Sequence, residues 1–195
     1  EALSSLASAS CQITQGEFQQ MQIANKPETS QKDYFEVISK KTAELFGASC
    51  KSGVIVGGGN VEEQNAAYEY GFNLGLAFQI VDDLMDFNNS PNKMGKNLGD
   101  DFKLGKTTLP IILAWQKSNP IEKQFWIKTL KELNQEPNDF KNAINIFNKY
   151  DIFNECKKRT KKFIFKSTKC LEKFPDTIIR DNLIGLANES IERSK

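Results

Sequence analysis

The stretch "GFNLGLAFQIVDDLMDF" (71–87) is apolar for most of its length and ends in three carboxylates, Asp82, Asp83 and Asp86. Written on a helix, Gln79, Asp82, Asp83 and Asp86 fall at offsets of three and four and share one face. Val81, Leu84 and Met85 turn elsewhere, and Gly71 and Gly75, one helical turn apart, allow a neighbouring helix to approach closely. Unpartnered buried carboxylates cost several kcal/mol each and repel one another. The cluster is therefore either a solvated acidic turn or a site with something positive among the carboxylates. Three carboxylates within one turn suit a hard cation such as Mg²⁺, which takes oxygen ligands and commonly bridges protein carboxylates to phosphate.

The residues that follow, "NNSPNKMGKNLGDDFKLGK" (88–106), are polar and punctuated by glycine, which predicts a loop of functional length. The loop carries Lys96 and Lys106, point charges suited to a diphosphate. Lys40 and Lys41 in "SKKTAELF" (39–46) add cations from the preceding helix. Two other readings fail. "GDDFKLGKT" (99–107) ends like a phosphate-binding P-loop, but Asp100 stands where the first glycine belongs and no strand precedes it. "DDLMDFNN" (82–89) lacks the glycine of a calcium loop at its sixth position and lies inside a helix.

Elsewhere the periodicity is helical nearly throughout. A first segment runs to about residue 22 and ends at "ANKPETS" (24–30). Ser30 with Asp33 resembles a capping box, from which one helix is expected to run to residue 56. Gly57, Gly58 and Gly59 break it, and Asn60 caps the next helix, whose first turn holds Glu62 and Glu63 at the positive dipole end. Further helices are expected over 107–116, 121–133 after the Asn119-Pro120 start, 139–149, 152–174 and 177–193. No strand pattern and no internal repeat occurs. The expectation is an all-α fold, a single helical domain over 1–195.

The 195 residues suffice for a substantial core, and a net charge of +1 gives no global field toward nucleic acid or membrane. The run "KKRTKKFIFKSTK" (157–169) is read as a solvated basic helix face with Phe163, Ile164 and Phe165 as its core contacts. There is no histidine, which excludes His-based nucleophilic dyads and His-ligated zinc and removes the commonest general base. The four cysteines, Cys11, Cys50, Cys156 and Cys170, form no CxxC pair and are read as reduced core residues of a cytoplasmic protein. No segment reaches the roughly 18 apolar residues of a membrane span, and no signal peptide opens the chain. The chain does not begin with Met, and "EALSSLASASCQIT" (1–14) reads as helix interior, so the chain is expected to start inside a longer fold.

Taken together, "AFQIVDDLMDF" (77–87), "GKNLGDDFKLGKTTLP" (95–110), "KKTAELF" (40–46) and "QGEFQQM" (15–21) resemble the trans-polyprenyl diphosphate synthases. Within that family the likeness is to the long-chain octaprenyl type that makes quinone side chains, and it covers essentially the whole chain. The resemblance implies an isoprenoid synthase-type helical bundle. It implies that Asp82 and Asp83, with Asp86 behind them, are the second aspartate-rich motif and hold Mg²⁺ against an allylic diphosphate. Gln79, Lys41 and Thr42 match positions lining the allylic site, and Lys96 and Lys106 match diphosphate-binding lysines. Gly16, Glu17 and Gln20 match a "GExxQ" element facing the cavity. Asp82, Asp83 and Lys96 are the residues implied to carry catalysis.

Such an enzyme needs neither nucleophile nor histidine. Mg²⁺ and lysines stabilise departing diphosphate, the alkene of isopentenyl diphosphate attacks the allylic cation, and a proton is lost. Phe, Leu and Ile residues line an apolar tunnel in the family, although core packing accounts for most of them here equally well. The family also has a first aspartate-rich motif on an earlier helix, with basic residues for isopentenyl diphosphate, and neither occurs in these 195 residues. Two expectations follow. The chain is the second catalytic half of a synthase, working as a homodimer or with a separate amino-terminal half, or it is a non-catalytic helical subunit or remnant. The family residues that set product length precede the first motif.

Overall fold

The computed structural model describes residues 1–87 and 98–192. Within these residues ten α-helices follow one another: α1 (Ala2–Ile23), α2 (Gln31–Ile38), α3 (Glu44–Val56), α4 (Val61–Met85), α5 (Asp100–Lys103), α6 (Leu109–Lys117), α7 (Pro120–Trp126), α8 (Asp139–Lys149), α9 (Ile152–Cys170) and α10 (Ile178–Glu192). Among the described residues there is no strand. Among those residues, too, no helix is long and apolar enough to cross a membrane.

The centre is α4. Asn60 starts it with a full capping box: the Asn60 side chain accepts from the Glu63 N–H, and the Glu63 carboxylate accepts from the Asn60 N–H. Its length comes from an apolar surface that runs nearly all round, as a helix buried on several sides requires. Residues Ala67, Tyr70, Leu74, Leu76, Ala77, Ile80, Val81 and Leu84 are all buried. Helix α3 packs along it because Gly71 and Gly75 have no side chain. A Cβ at Gly75 would lie 2.7 Å from the Ala43 Cα, and one at Gly71 would collide with the Phe46 carbonyl.

Two apolar clusters result. The larger joins α2, the carboxy-terminal half of α4, α6, α7, α8 and the start of α9, around Ile80, Ile112, Trp126 and Phe147. The smaller joins the amino-terminal half of α4 to α9 and α10 through Tyr70, Leu74, Ile164, Leu171 and Ala187.

Several details depart from the sequence reading. The helix expected to run unbroken from Ser30 to residue 56 is interrupted by a π-helical turn, Ser39–Ala43, that separates α2 from α3. The extra residue per turn follows from packing on both sides: α1 and α4 each press on this segment. Ser30 does cap α2, accepting from the Asp33 N–H, but Asp33 answers to the Ser30 hydroxyl rather than to its backbone. The helix after Asn119-Pro120 ends in a second π-turn, Ile127–Lys131, and α9 ends in a 3₁₀ turn, Leu171–Lys173. The expected long loop contains the short helix α5. Cys156 is buried, Cys50 and Cys170 are partly covered, but Cys11 is exposed rather than in the core. In the basic run, Ile164 is buried and Phe163 partly so, whereas Phe165 is 66% exposed and not a core contact.

Candidate functional site

Asp83 is buried beneath α2, and each of its carboxylate oxygens accepts one hydrogen bond. The Tyr34 hydroxyl donates to one oxygen at 2.6 Å and the Gln79 amide to the other at 3.0 Å. Gln79 and Asp83 sit one helical turn apart, so one amide serves two partners: its oxygen accepts from the Thr42 hydroxyl at 2.8 Å. Thr42 and Lys41 lie in the π-turn. The Lys41 ammonium donates to the Gln20 amide oxygen at 2.6 Å and lies 3.1 Å from the Glu17 carboxylate. Gly16 makes this possible, because a Cβ there would stand 2.5 Å from the Lys41 backbone nitrogen. The "GExxQ" element thus has a physical role: the glycine lets α1 close on the π-turn, and the Glu and Gln hold Lys41. Beside it, Glu36 accepts from Gln19 at 2.8 Å and Lys40 at 3.1 Å.

The end of α4 is tied to the lysine loop. Both Asp86 carboxylate oxygens accept from the Asp101 N–H at 3.2 Å, and the Asp86 carbonyl accepts from the Gly99 N–H at 3.0 Å. Asp101 in turn pairs with the Lys106 ammonium. Gly99 and Gly105 adopt positive φ, 80° and 66°, where a side chain is strained, and so set the turns at either end of α5. The loop is pinned from outside as well. The Asn25 N–H donates to the Gly105 carbonyl, the Lys26 N–H to the Thr107 hydroxyl, and the Gln135 amide to the Phe102 carbonyl.

Burial dominates the electrostatics. It pushes the Asp83 carboxyl up to about 7 despite the hydrogen bonds from Tyr34 and Gln79, with Asp101 and Asp82 adding repulsion. Burial raises Asp86 too, against the Asp101 N–H. Burial and then the Asp83 carboxylate hold the Tyr34 hydroxyl well above its ordinary pKa, so it stays a donor. At Lys106 burial opposes the charge, but the hydrogen bond and charge of Asp101, helped by Asp83 and Asp86, keep its pKa above the usual lysine range. Among the described residues the end of α4 and the α5 segment carry Asp82, Asp83, Asp86, Asp100 and Asp101 against Lys103 and Lys106, an excess of negative charge that a cation would offset.

The structure therefore hydrogen-bonds Thr42 to Gln79 and Gln79 to Asp83, sets the Gln20–Lys41 pair beside them through the adjacent Lys41 and Thr42 of the π-turn, and joins Asp86 to Lys106 through Asp101. Asp82 lies beside them at intermediate exposure. Lys96 falls outside the described residues. Among the described residues, no three acidic or thiol side chains converge into a ready-made metal cage. Asp82, Asp83 and Asp86 offer carboxylate oxygens, the ligand type that a hard divalent cation takes. The sequence does not single out Tyr34 or Asp101: Tyr34 looks like any core aromatic in "DYFEVI" (33–38), and Asp101 lies in the lysine loop without a signal of its own. A separate open groove of about 550 Å³ between α4 and α9, lined by Glu62, Glu69, Lys166 and Lys173 among others, contains none of these residues.

Residues 1–147 match the Polyprenyl synthetase family model. The octaprenyl diphosphate synthase of Escherichia coli (strain K12) is 34% identical over 183 residues, covering 94% of this chain and 56% of that protein. The octaprenyl diphosphate synthase of Haemophilus influenzae is 33% identical over 192 residues, covering 98% and 58%. Among solved structures, the polyprenyl synthase of Caulobacter crescentus CB15, complexed with calcium and isoprenyl diphosphate, superposes with a TM-score of 0.95 at 36% identity, over 100% of this chain and 59% of that one. The decaprenyl diphosphate synthase of Rhodobacter capsulatus gives 0.93 at 34% identity, over 100% and 60%. The chain spans a little over half the length of the relatives it matches. On the family model and these relatives together, the chain belongs to the polyprenyl synthetase family.

Proposed function

We propose that these 195 residues are the second catalytic half of a Mg²⁺-dependent trans-polyprenyl diphosphate synthase, which condenses isopentenyl diphosphate onto an allylic diphosphate for quinone side chains. The observation that carries the reading is the hydrogen-bonded series Thr42, Gln79, Asp83, with Lys41 next to Thr42 in the π-turn, set beside Asp82 and the Asp86–Asp101–Lys106 link. The Caulobacter relative, solved with a divalent cation and an isoprenyl diphosphate, supports it.

In this reading Asp82, Asp83 and Asp86 would hold Mg²⁺, which when bound would supply positive charge to the departing diphosphate. Lys41 is fixed by Glu17 and Gln20 and offers its remaining N–H donors to the diphosphate. Lys106 likewise has donors beyond the one given to Asp101, and Lys96 joins them from the loop. Thr42 and Gln79 set the shape of the allylic pocket through their mutual hydrogen bond. Prearranged charge of this kind acts on the leaving group without reorganisation at the moment of reaction. The carbon–oxygen bond to diphosphate breaks, the isopentenyl alkene forms the new carbon–carbon bond, and a proton leaves the product.

The opposite wall, a facing acidic helix with the isopentenyl diphosphate residues, belongs to an amino-terminal half. Helix α1 exposes Leu3, Phe18 and Met21, apolar surface that such a half would cover. The test is incorporation of labelled isopentenyl diphosphate by the purified 195-residue chain, with and without a separately expressed amino-terminal half carrying another DDxxD. Turnover is expected only from the mixture, since one wall alone leaves the cation open to water and the acceptor unpositioned. Robust turnover by the chain alone would refute the account of the opposite wall. No turnover from a mixture that forms a stable complex would refute the catalytic reading.

A further inference from the structure

The basic run of α9 has a structural feature that a solvated helix face does not need. Lys158, Lys161, Lys162, Phe165, Lys166 and Lys169 are all exposed. Lys161 and Lys162 precede Phe165 by one turn, and Lys169 follows it by one, so the ring lies in the middle of a lysine surface. Phe165 is 66% exposed, and no core contact explains it. The opposite face of the same helix, with Cys156, Thr160, Ile164 and Ser167, is buried in the bundle, so α9 cannot roll to hide the ring.

The lysines are also unlike most others in the molecule. Lys40, Lys41, Lys103, Lys106, Lys117, Lys128, Lys131, Lys149 and Lys173 each pair with a carboxylate. Among the described residues, Lys158, Lys161, Lys162, Lys166 and Lys169 have no ion-pair partner, although Lys166 lies over the Phe163 ring. Between Glu155 and Glu172 the chain has no acidic residue. Lys166 and Lys169 do border the groove that holds Glu69 and Glu172, so the net positive charge is strongest toward Lys158, Lys161 and Lys162.

We propose that this face of α9 docks on an anionic lipid surface, with the lysines at the headgroups and Phe165 inserted among them. The apolar ring favours a lipid surface over a purely ionic partner such as an acidic protein. Phosphate or carboxylate alone satisfies lysines, whereas a single exposed aromatic gains by entering a bilayer interface. The attachment is peripheral and dominated by charge, because the apolar stripe of α9 is already spent on the core. It does not depend on prenyl transfer and is measured without it.

The test is co-sedimentation of the purified chain with vesicles of neutral phosphatidylcholine, and with vesicles containing 30% phosphatidylglycerol. Binding is expected only to the anionic vesicles and is expected to weaken strongly in high salt. Each lysine near such a surface contributes roughly fivefold, so a Lys158→Gln, Lys161→Gln, Lys162→Gln triple variant is expected to bind about a hundredfold more weakly. All three side chains are exposed, and circular dichroism would verify that the variant is folded. In a Phe165→Trp variant, brominated acyl chains should quench added fluorescence that wild type lacks, reporting insertion. Equal binding to neutral and anionic vesicles, or unchanged binding by the triple variant, would overturn the proposal. So would binding of a short RNA or an acidic peptide at equal strength without quenching at position 165.

Discussion

The carboxylates of α4 and the lysines of α9 are both charge clusters on one helix, yet they are held in opposite ways. Asp83 is 4% exposed, has two donors on its carboxylate and carries a raised pKa, and Asp86 is roped to the next loop. Lys158, Lys161 and Lys162 of α9 stand exposed, with no ion-pair partner among the described residues. Burying charge is costly and is tolerated when every lone pair is engaged and the residual field has a use. Leaving charge exposed costs almost nothing, so an exposed cluster says little until an anomaly such as Phe165 accompanies it. The difference predicts which substitutions the fold will feel.

The largest effect concerns Asp83 itself. Its folded pKa of about 7 lies above that of an unfolded aspartate near 3.8, so the native state binds the extra proton more tightly. Protonated Asp83 stabilises the fold, and that contribution is lost as pH rises from about 4 through 7, a fall of a few kcal/mol at most. Urea unfolding of the chain in EDTA should show this decline, and an Asp83→Asn variant should lack it. A flat profile in wild type would mean that the carboxylate is solvated.

Next comes the close approach of α3 to α4. Gly71→Val drives a side chain into the Phe46 backbone, which cannot swing away, and should cost about 1–3 kcal/mol. The urea midpoint measures it. Smaller again is Tyr34→Phe, which removes one donor from a buried carboxylate and should cost about 1–2 kcal/mol above pH 7, with less effect when Asp83 is protonated. At the far end, exchanging Lys158, Lys161 and Lys162 for Gln should change folding stability by less than about 0.5 kcal/mol, whatever it does to surface binding. A larger loss would show that the basic face supports the bundle.

Much of the architecture was legible because its signals are local. The Asn60 and Asn119 boxes, the glycines facing α3 and the carboxylate spacing on α4 each need only a few residues of context. What escaped is what tertiary packing decides. No short window links Tyr34 to Asp83 across 49 positions. The π-turn carrying Lys41 and Thr42 has the same periodicity as the helices around it, and only the squeeze between α1 and α4 distinguishes it. Phe165 belongs by composition to a core triplet, but its direction on α9 turns it to solvent. Asp101 is visible in the sequence, yet its position between Asp86 and Lys106 depends on the two positive-φ glycines.

The central claim is that the α4 carboxylates and their lysines form a metal-assisted diphosphate wall. Titration calorimetry of the purified chain with a non-hydrolysable farnesyl diphosphate analogue tests it most directly. Binding is expected to need Mg²⁺ and to weaken by a few kcal/mol in Asp82→Ala, because removing one partner leaves charge uncompensated. Equal affinity with and without Mg²⁺, or for wild type and Asp82→Ala, would contradict the account.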